Sequence, residues 1–463
     1  MNNKMKTKTI VAATLSMSML VPAVALADDH GDHSSHATGA ATGDMGVSSP
    51  ASELRSALTH LFTEHAFLAV ETLKKGADGT EDFEALAGAL NGNTDDLTAA
   101  VSSVYGDEAG AQFKEIWSSH IGYFVDYANA TAAGDQAGKD QAVADLGEYI
   151  KEQAAFLDSA TEGRLKAADL EAGLKMHVDQ LVWAFDSYVA GDYETSYMNE
   201  REAIDHMVMV AAGLATAITD QFPDQFENTM AVTPAADLRA NLDRIFTEHA
   251  GLAVMAMQNG IDGDPDYDAS AAALLANADD LSAAVASVYG EEGGAQFKEI
   301  WNSHIGYFVD YVVATANDDA AGQEQAMAEL DEYIVEQAAF LAAATEDRLP
   351  AADLEAGLTA HVDQLLAAFD LYVEGDYEGA YSNLREAYAH MLMPSEAISG
   401  AIVDQFPENF QGSAMPDGMP KTGMGGTADE NGMGAEGFLL GSLLAASLGA
   451  TAFVARRRKN SEA

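Results

Sequence analysis

Sixteen residues occur twice in this chain: QFKEIWSSHIGYFVDY over 112–127 and QFKEIWNSHIGYFVDY over 296–311, identical except for Ser118 and Asn302. The same offset of 184 residues carries His65 onto His249, His177 onto His361 and His206 onto His390. A chain that repeats itself in this way builds one supersecondary plan twice, so a reading of one half constrains the other. At 3.6 residues per turn, Phe113, Ile116, Trp117, His120, Phe124 and Tyr127 share one helical face. The histidine therefore points into an apolar interior, where an imidazole needs a partner.

The same periodicity runs through both copies, with Gly or Asp at the breaks and no alternating strand pattern. It predicts helices over 51–74, 82–104, 109–133, 138–159, 167–189 and 193–222 of the first copy. Short breaks make neighbouring helices antiparallel. The expected fold is all-α, two tandem antiparallel helical-bundle repeats over 51–228 and 235–411. His65, His120 and His177 are 55 and 57 residues apart, which suggests three helical hairpins per repeat, each opened by a histidine-bearing helix. With 463 residues, 48% of them apolar, there is material for two separate cores.

The ends read differently. Residues 1–27 place Lys4, Lys6 and Lys8 before an apolar run and Ala25-Leu26-Ala27, the order of a secretory signal peptide. Residues 28–50 form a histidine-containing tail with little to pack, expected to be disordered. Residues 412–422 read as a wall spacer, and 423–463 hold an apolar run from Gly437 to Ala455 followed by Arg456, Arg457, Arg458 and Lys459. With Met419-Pro420-Lys421-Thr422-Gly423 ahead of them, these segments resemble the sortase sorting signal of Gram-positive surface proteins, Met419 standing where leucine is usual. That resemblance implies sortase and peptidoglycan as partners, attachment to the cell wall, and membrane contact only through the C-terminal segment before processing. The apolar run is also long enough for a plain transmembrane anchor.

Charge and cysteine content exclude several functions. The chain has 74 Asp and Glu against 23 Lys and Arg, so nucleic acid is a poor partner and a cation a better one; a solvated acidic surface is the other reading. Without cysteine there are no disulfides, thiolate metal sites, iron–sulfur clusters or covalently attached haem.

The histidines carry the functional expectation. His65 lies with Leu58, Leu61, Phe62 and Leu68, His177 with Leu174, Leu181 and Phe185, and His206 with Ala203, Val210 and Leu214. A bundle brings such stripes together, so His65, His120, His177 and His206 are expected to converge on a metal ion, as are His249, His304, His361 and His390. The alternative is that each makes one hydrogen bond inside the core. Met209 and Met393, in His-Met-x-Met, add thioether sulfur, and imidazole with thioether suits copper, above all cuprous copper. Haem held non-covalently between two facing histidines is the second cofactor reading. Cleavage after Ala27 would also expose Asp28-Asp29-His30, whose amine, two amide nitrogens and imidazole form a square-planar set for Cu(II).

Spacing argues against the common enzymes. Ala203 and Phe62 stand where a ferritin-like Glu-x-x-His would need glutamate, and the chain has no His-Glu-x-x-His, no Gly-x-Ser-x-Gly and no phosphate-binding glycine loop. The recurring FTEHA, QFKEIW, SHIGYFVDY, HVDQL and DQFP resemble a group of secreted helical proteins of Bacillus-related bacteria, some of them labelled copper amine oxidases. The resemblance implies a helical fold and a link to copper. It does not extend to the amine oxidase cofactor, which arises from a tyrosine in an Asn-Tyr setting that this chain lacks. The expected protein is a cell-wall-anchored binder of copper or a related metal. A structural or adhesive surface protein and a haem binder are the alternatives.

Overall fold

The computed structural model describes residues 46–410. The expected signal peptide, the expected copper site at Asp28-Asp29-His30, and the expected wall spacer and sorting segment lie outside the described residues. Within them the chain is helical, with no strand. The first half forms α1 (Pro50–Asp78), α2 (Phe83–Tyr105), α3 (Asp107–Ala133), α4 (Gln136–Ala160), α5 (Ala167–Val189) and α6 (Tyr193–Gln221). The second forms α7 (Pro234–Asp262), α8 (Tyr267–Ala316), α9 (Ala320–Ala344), α10 (Ala351–Glu374), α11 (Tyr377–His390) and α12 (Leu392–Gln405).

Local chemistry sets the boundaries. Ser49 and Thr233 cap α1 and α7 by accepting hydrogen bonds from the Ser52 and Ala236 amides, each followed by a proline at the first helical position, where its missing N–H leaves no bond unmade. Asp135 and Asp319 cap α4 and α9 in the same way. Gly106 separates α2 from α3 with φ at 87°, a conformation that disfavours a side chain. Its counterpart Gly290, with φ at 80°, kinks α8, which otherwise continues through the region of the two expected helices.

The helix expected across the last segment is whole in the first half and broken in the second. Pro394, where the first half has Val210, cannot donate to the carbonyl of His390, and the chain turns at Met391 between α11 and α12.

α1 and α7 lie at the centre, with every residue from Leu58 to Lys75 and from Leu238 to Asn259 buried. They pack on each other, and the other helices surround them. Where they cross, Phe67 of α1 meets Gly251 of α7, the residue at the equivalent position; a Cβ on Gly251 would stand 2.8 Å from the Phe67 ring. The halves also exchange contacts, since α11 packs on α2 and α6 on α8. Arg385 of α11 grips the buried Glu64 of α1 with two hydrogen bonds of 3.0 Å, and Arg201 of α6 grips the buried Glu248 of α7 at 2.9 and 3.3 Å. Each contact has its reciprocal at the 184-residue offset, the pattern of an isologous, two-fold-like association. The buried apolar side chains accordingly form one cluster with members from both halves, where the sequence allowed for two separate cores.

Candidate metal centres

Three of the four expected histidines of each half meet. His65 on α1, His120 on α3 and His177 on α5 bring one ring nitrogen each to within 4.8 Å of one another, and His249 on α7, His304 on α8 and His361 on α10 do the same. All six are buried. The apolar stripes explain this: each histidine occupies a core position of a helix that packs against α1 or α7, so burying the stripes brings the imidazoles together.

In both clusters the first two Nε2 atoms stand 3.3 Å apart. Two nitrogens bonded at 2.0–2.1 Å to one tetrahedral ion stand about 3.3–3.4 Å apart. A porphyrin plane between the same nitrogens would need about 4 Å, twice that bond length, so the facing pair is too close to sandwich a haem.

The donor orientation is set by the backbone. His120 Nδ1–H donates to the Trp117 carbonyl and His304 Nδ1–H to that of Trp301, which leaves each Nε2 with its lone pair toward the cluster. The His120 ring stacks on Tyr149 at 4.5 Å and the His304 ring on Tyr333 at 4.5 Å, which holds the plane. Around this frame, polar atoms are left without partners among the described residues: Nδ1 of His65, both ring nitrogens of His177, both amide atoms of Gln153 and the Tyr149 hydroxyl. The second half repeats the set at His249, His361, Gln337 and Tyr333. Buried polar groups are normally satisfied, so these atoms are the ones here with hydrogen-bonding or metal-binding capacity still to use.

Burial removes charge from these imidazoles. It pushes His120 down to about 4 and both His304 and His361 down to about 3, the last helped by its neighbours His304 and His390. Burial and then repulsion from adjoining histidines hold His65, His177 and His249 well below the ordinary histidine value. All six are therefore neutral near pH 7, the form that binds metal. No carboxylate belongs to either cluster.

The fourth histidine of each half does not join. His206 Nε2–H donates to the Gly173 carbonyl at 3.0 Å and His390 Nε2–H to that of Gly357 at 3.1 Å, so both are half-buried residues with a local partner. Met209 is half-buried and Met393 is 61% exposed; both line a cavity beside the first cluster, and sulfur is not part of the cluster as described. Met209 shares a face of α6 with His206, three residues before it, but that histidine is bonded to Gly173 and stands outside the cluster, so the sulfur beside it does not reach the metal position either. Tyr149 and Gln153 escaped the sequence reading, although EYI-x-EQAAF recurs at 148–156 and 332–340 and marked the segment.

No protein-family model, no curated protein and no solved structure matches this chain.

Proposed function

We propose that each half of the chain binds one transition-metal ion, copper in preference to others, between its three clustered histidines. The observation that carries this reading is the convergence of three neutral, buried imidazoles from three helices, repeated in both halves with the same 3.3 Å nitrogen separation. His65, His120 and His177 hold the first ion and His249, His304 and His361 the second. The donor set is uncharged, and the desolvation penalty of an ion rises with the square of its charge, so monovalent copper is favoured over a divalent ion in so dry a site. A closed, fully buried set suits sequestration or delivery rather than turnover.

The test is metal analysis of the full chain with His30, His33 and His36 replaced by Ala, so that the tail does not contribute. The expected content is one copper per cluster, falling by half in His65→Ala and to background in His65→Ala with His249→Ala. Unchanged content in these variants, or none in the parent, would leave the histidines as core residues. With the tail intact, an additional Cu(II) bound through Asp28, Asp29 and His30 is expected to show a four-nitrogen visible spectrum, lost in His30→Ala.

The sequence order of signal peptide, Met419–Gly423 motif, apolar run and basic end supports a further part of this proposal. The chain is exported, cut between Thr422 and Gly423, and joined to peptidoglycan by sortase. Mass spectrometry of wall digests should recover a C-terminal peptide ending at Thr422 on wall fragments. Recovery of intact 437–455 in membranes as the main species would refute it.

A further inference from the structure

Beside the first histidine cluster lies a cavity of about 900 Å³, bounded by helices of the first half and closed on one side by Leu392 and Met393 of α12. The space is a cleft partly open to solvent, with the exposed Arg164, Lys166 and Asp169 among the residues that line it. It falls within the range of ligand sites, and its wall is aliphatic and aromatic. Two glycines of that wall, Gly173 and Gly213, face open space, since a Cβ added to either would meet no atom within 4 Å.

The polar groups on the lining narrow the ligand. Gln153 and His177 both line the cavity, both are 1% exposed, and neither has a partner for any side-chain nitrogen or oxygen. The cations on the lining are committed or lie in solvent: Arg239 pairs with Glu53 and Glu396, Arg164 pairs with Glu162, and Lys166 is exposed. A carboxylate carried in to Gln153 would be buried without a counter-charge, whereas an uncharged carbonyl or hydroxyl would satisfy the amide.

We propose that this cavity binds an uncharged long-chain lipid, an apolar chain ending in a single carbonyl or hydroxyl, with that oxygen at Gln153 and His177. Because His177 belongs to both the cavity and the metal cluster, the polar end of the lipid stands beside the first metal position. The cavity is present whether or not an ion fills that position. Met207 and Met209 on its wall supply flexible, polarizable surface that adapts to a chain of variable shape.

The test uses the full chain, stripped of metal, with the uncharged fluorophore N-phenyl-1-naphthylamine as probe and hexadecanol, hexadecanoate and haem as competitors. Saturable binding of one probe per chain, displaced by hexadecanol much better than by hexadecanoate, is the expected result. Gly213→Phe should weaken the probe by about tenfold or more while leaving copper content unchanged. Gly173→Leu, which fills the wall from another helix, should do the same. His65→Ala should lower copper content and keep the probe, so failure of the metal proposal and failure of this one are read separately. Absence of saturable binding, indifference to both glycine substitutions, equal displacement by hexadecanoate, or a Soret band from haem that Gly213→Phe abolishes would each overturn the lipid assignment.

Discussion

At the scale of single residues, the buried carboxylates Glu64 and Glu248 test how closely the halves match. Each accepts a hydrogen bond of 2.7 Å from an asparagine, Asn93 or Asn277, and each is held by an arginine from the other half. Glu248 has one more cation, Arg244 at 3.3 Å, where the first half carries His60. Removing one partner of a buried pair leaves a charge unpaired and costs about 3–5 kcal/mol. Arg385→Leu should therefore destabilise the protein by about that amount in denaturant titration, and Arg201→Leu by markedly less, because Arg244 still faces Glu248. Equal losses would show that Arg244 contributes nothing at Glu248.

At the scale of elements, the crossing of α1 and α7 is decided by one large side chain and one absent one. Positions 67 and 251 are equivalent in the repeat and meet at the crossing, where two phenylalanines would occupy the same space. The pair Phe67 and Gly251 resolves this, which gives a physical reason for the repeat to diverge here. Gly251→Ala should overpack the crossing and cost about 1–3 kcal/mol. Phe67→Leu in the same chain should recover part of that loss, and the coupling is read from a double-mutant cycle by denaturant unfolding. Additive losses would mean that the helices shift to relieve the contact. The histidine-bearing helices show the reverse case: α1, α3 and α5, with α7, α8 and α10, keep the same apolar stripe and imidazole in both halves, because both clusters use them alike.

At the scale of the whole molecule, the halves join through buried polar groups as well as apolar ones. Within the first half alone, Lys74 of α1 bonds Glu71 at 2.8 Å and Glu200 of α6 at 2.6 Å, all three buried, a group the second half replaces with Gln258, Met255 and Leu384. Burial opposes the charge on Lys74, yet Glu200 and Glu71 hold its pKa above the ordinary lysine value. Asp82 and Tyr381, and Tyr197 and Asp266, bond across the halves at reciprocal positions. The molecule thus combines an approximate two-fold plan with local exceptions where charge or volume forbids symmetry.

The sequence by itself determined the helical class, the repeat, the boundaries of the six helices of the first half to within a few residues, and the burial of His65, His120 and His177 with their counterparts. These follow from periodicity, capping residues and breaks, which act over a few residues and are written locally. The interruption at Pro394 was also written there, as a residue unable to donate a helical hydrogen bond. Only the tertiary structure decided that His206 and His390 turn to backbone carbonyls, that Met209 and Met393 face a cavity, and that the two halves share one core. An apolar stripe states that a side chain is buried but not which helix covers it, and distances such as 3.3 Å between imidazoles arise from helices that are far apart in the chain. The cavity is the furthest from the sequence, because empty volume is what remains after every helix has taken its place.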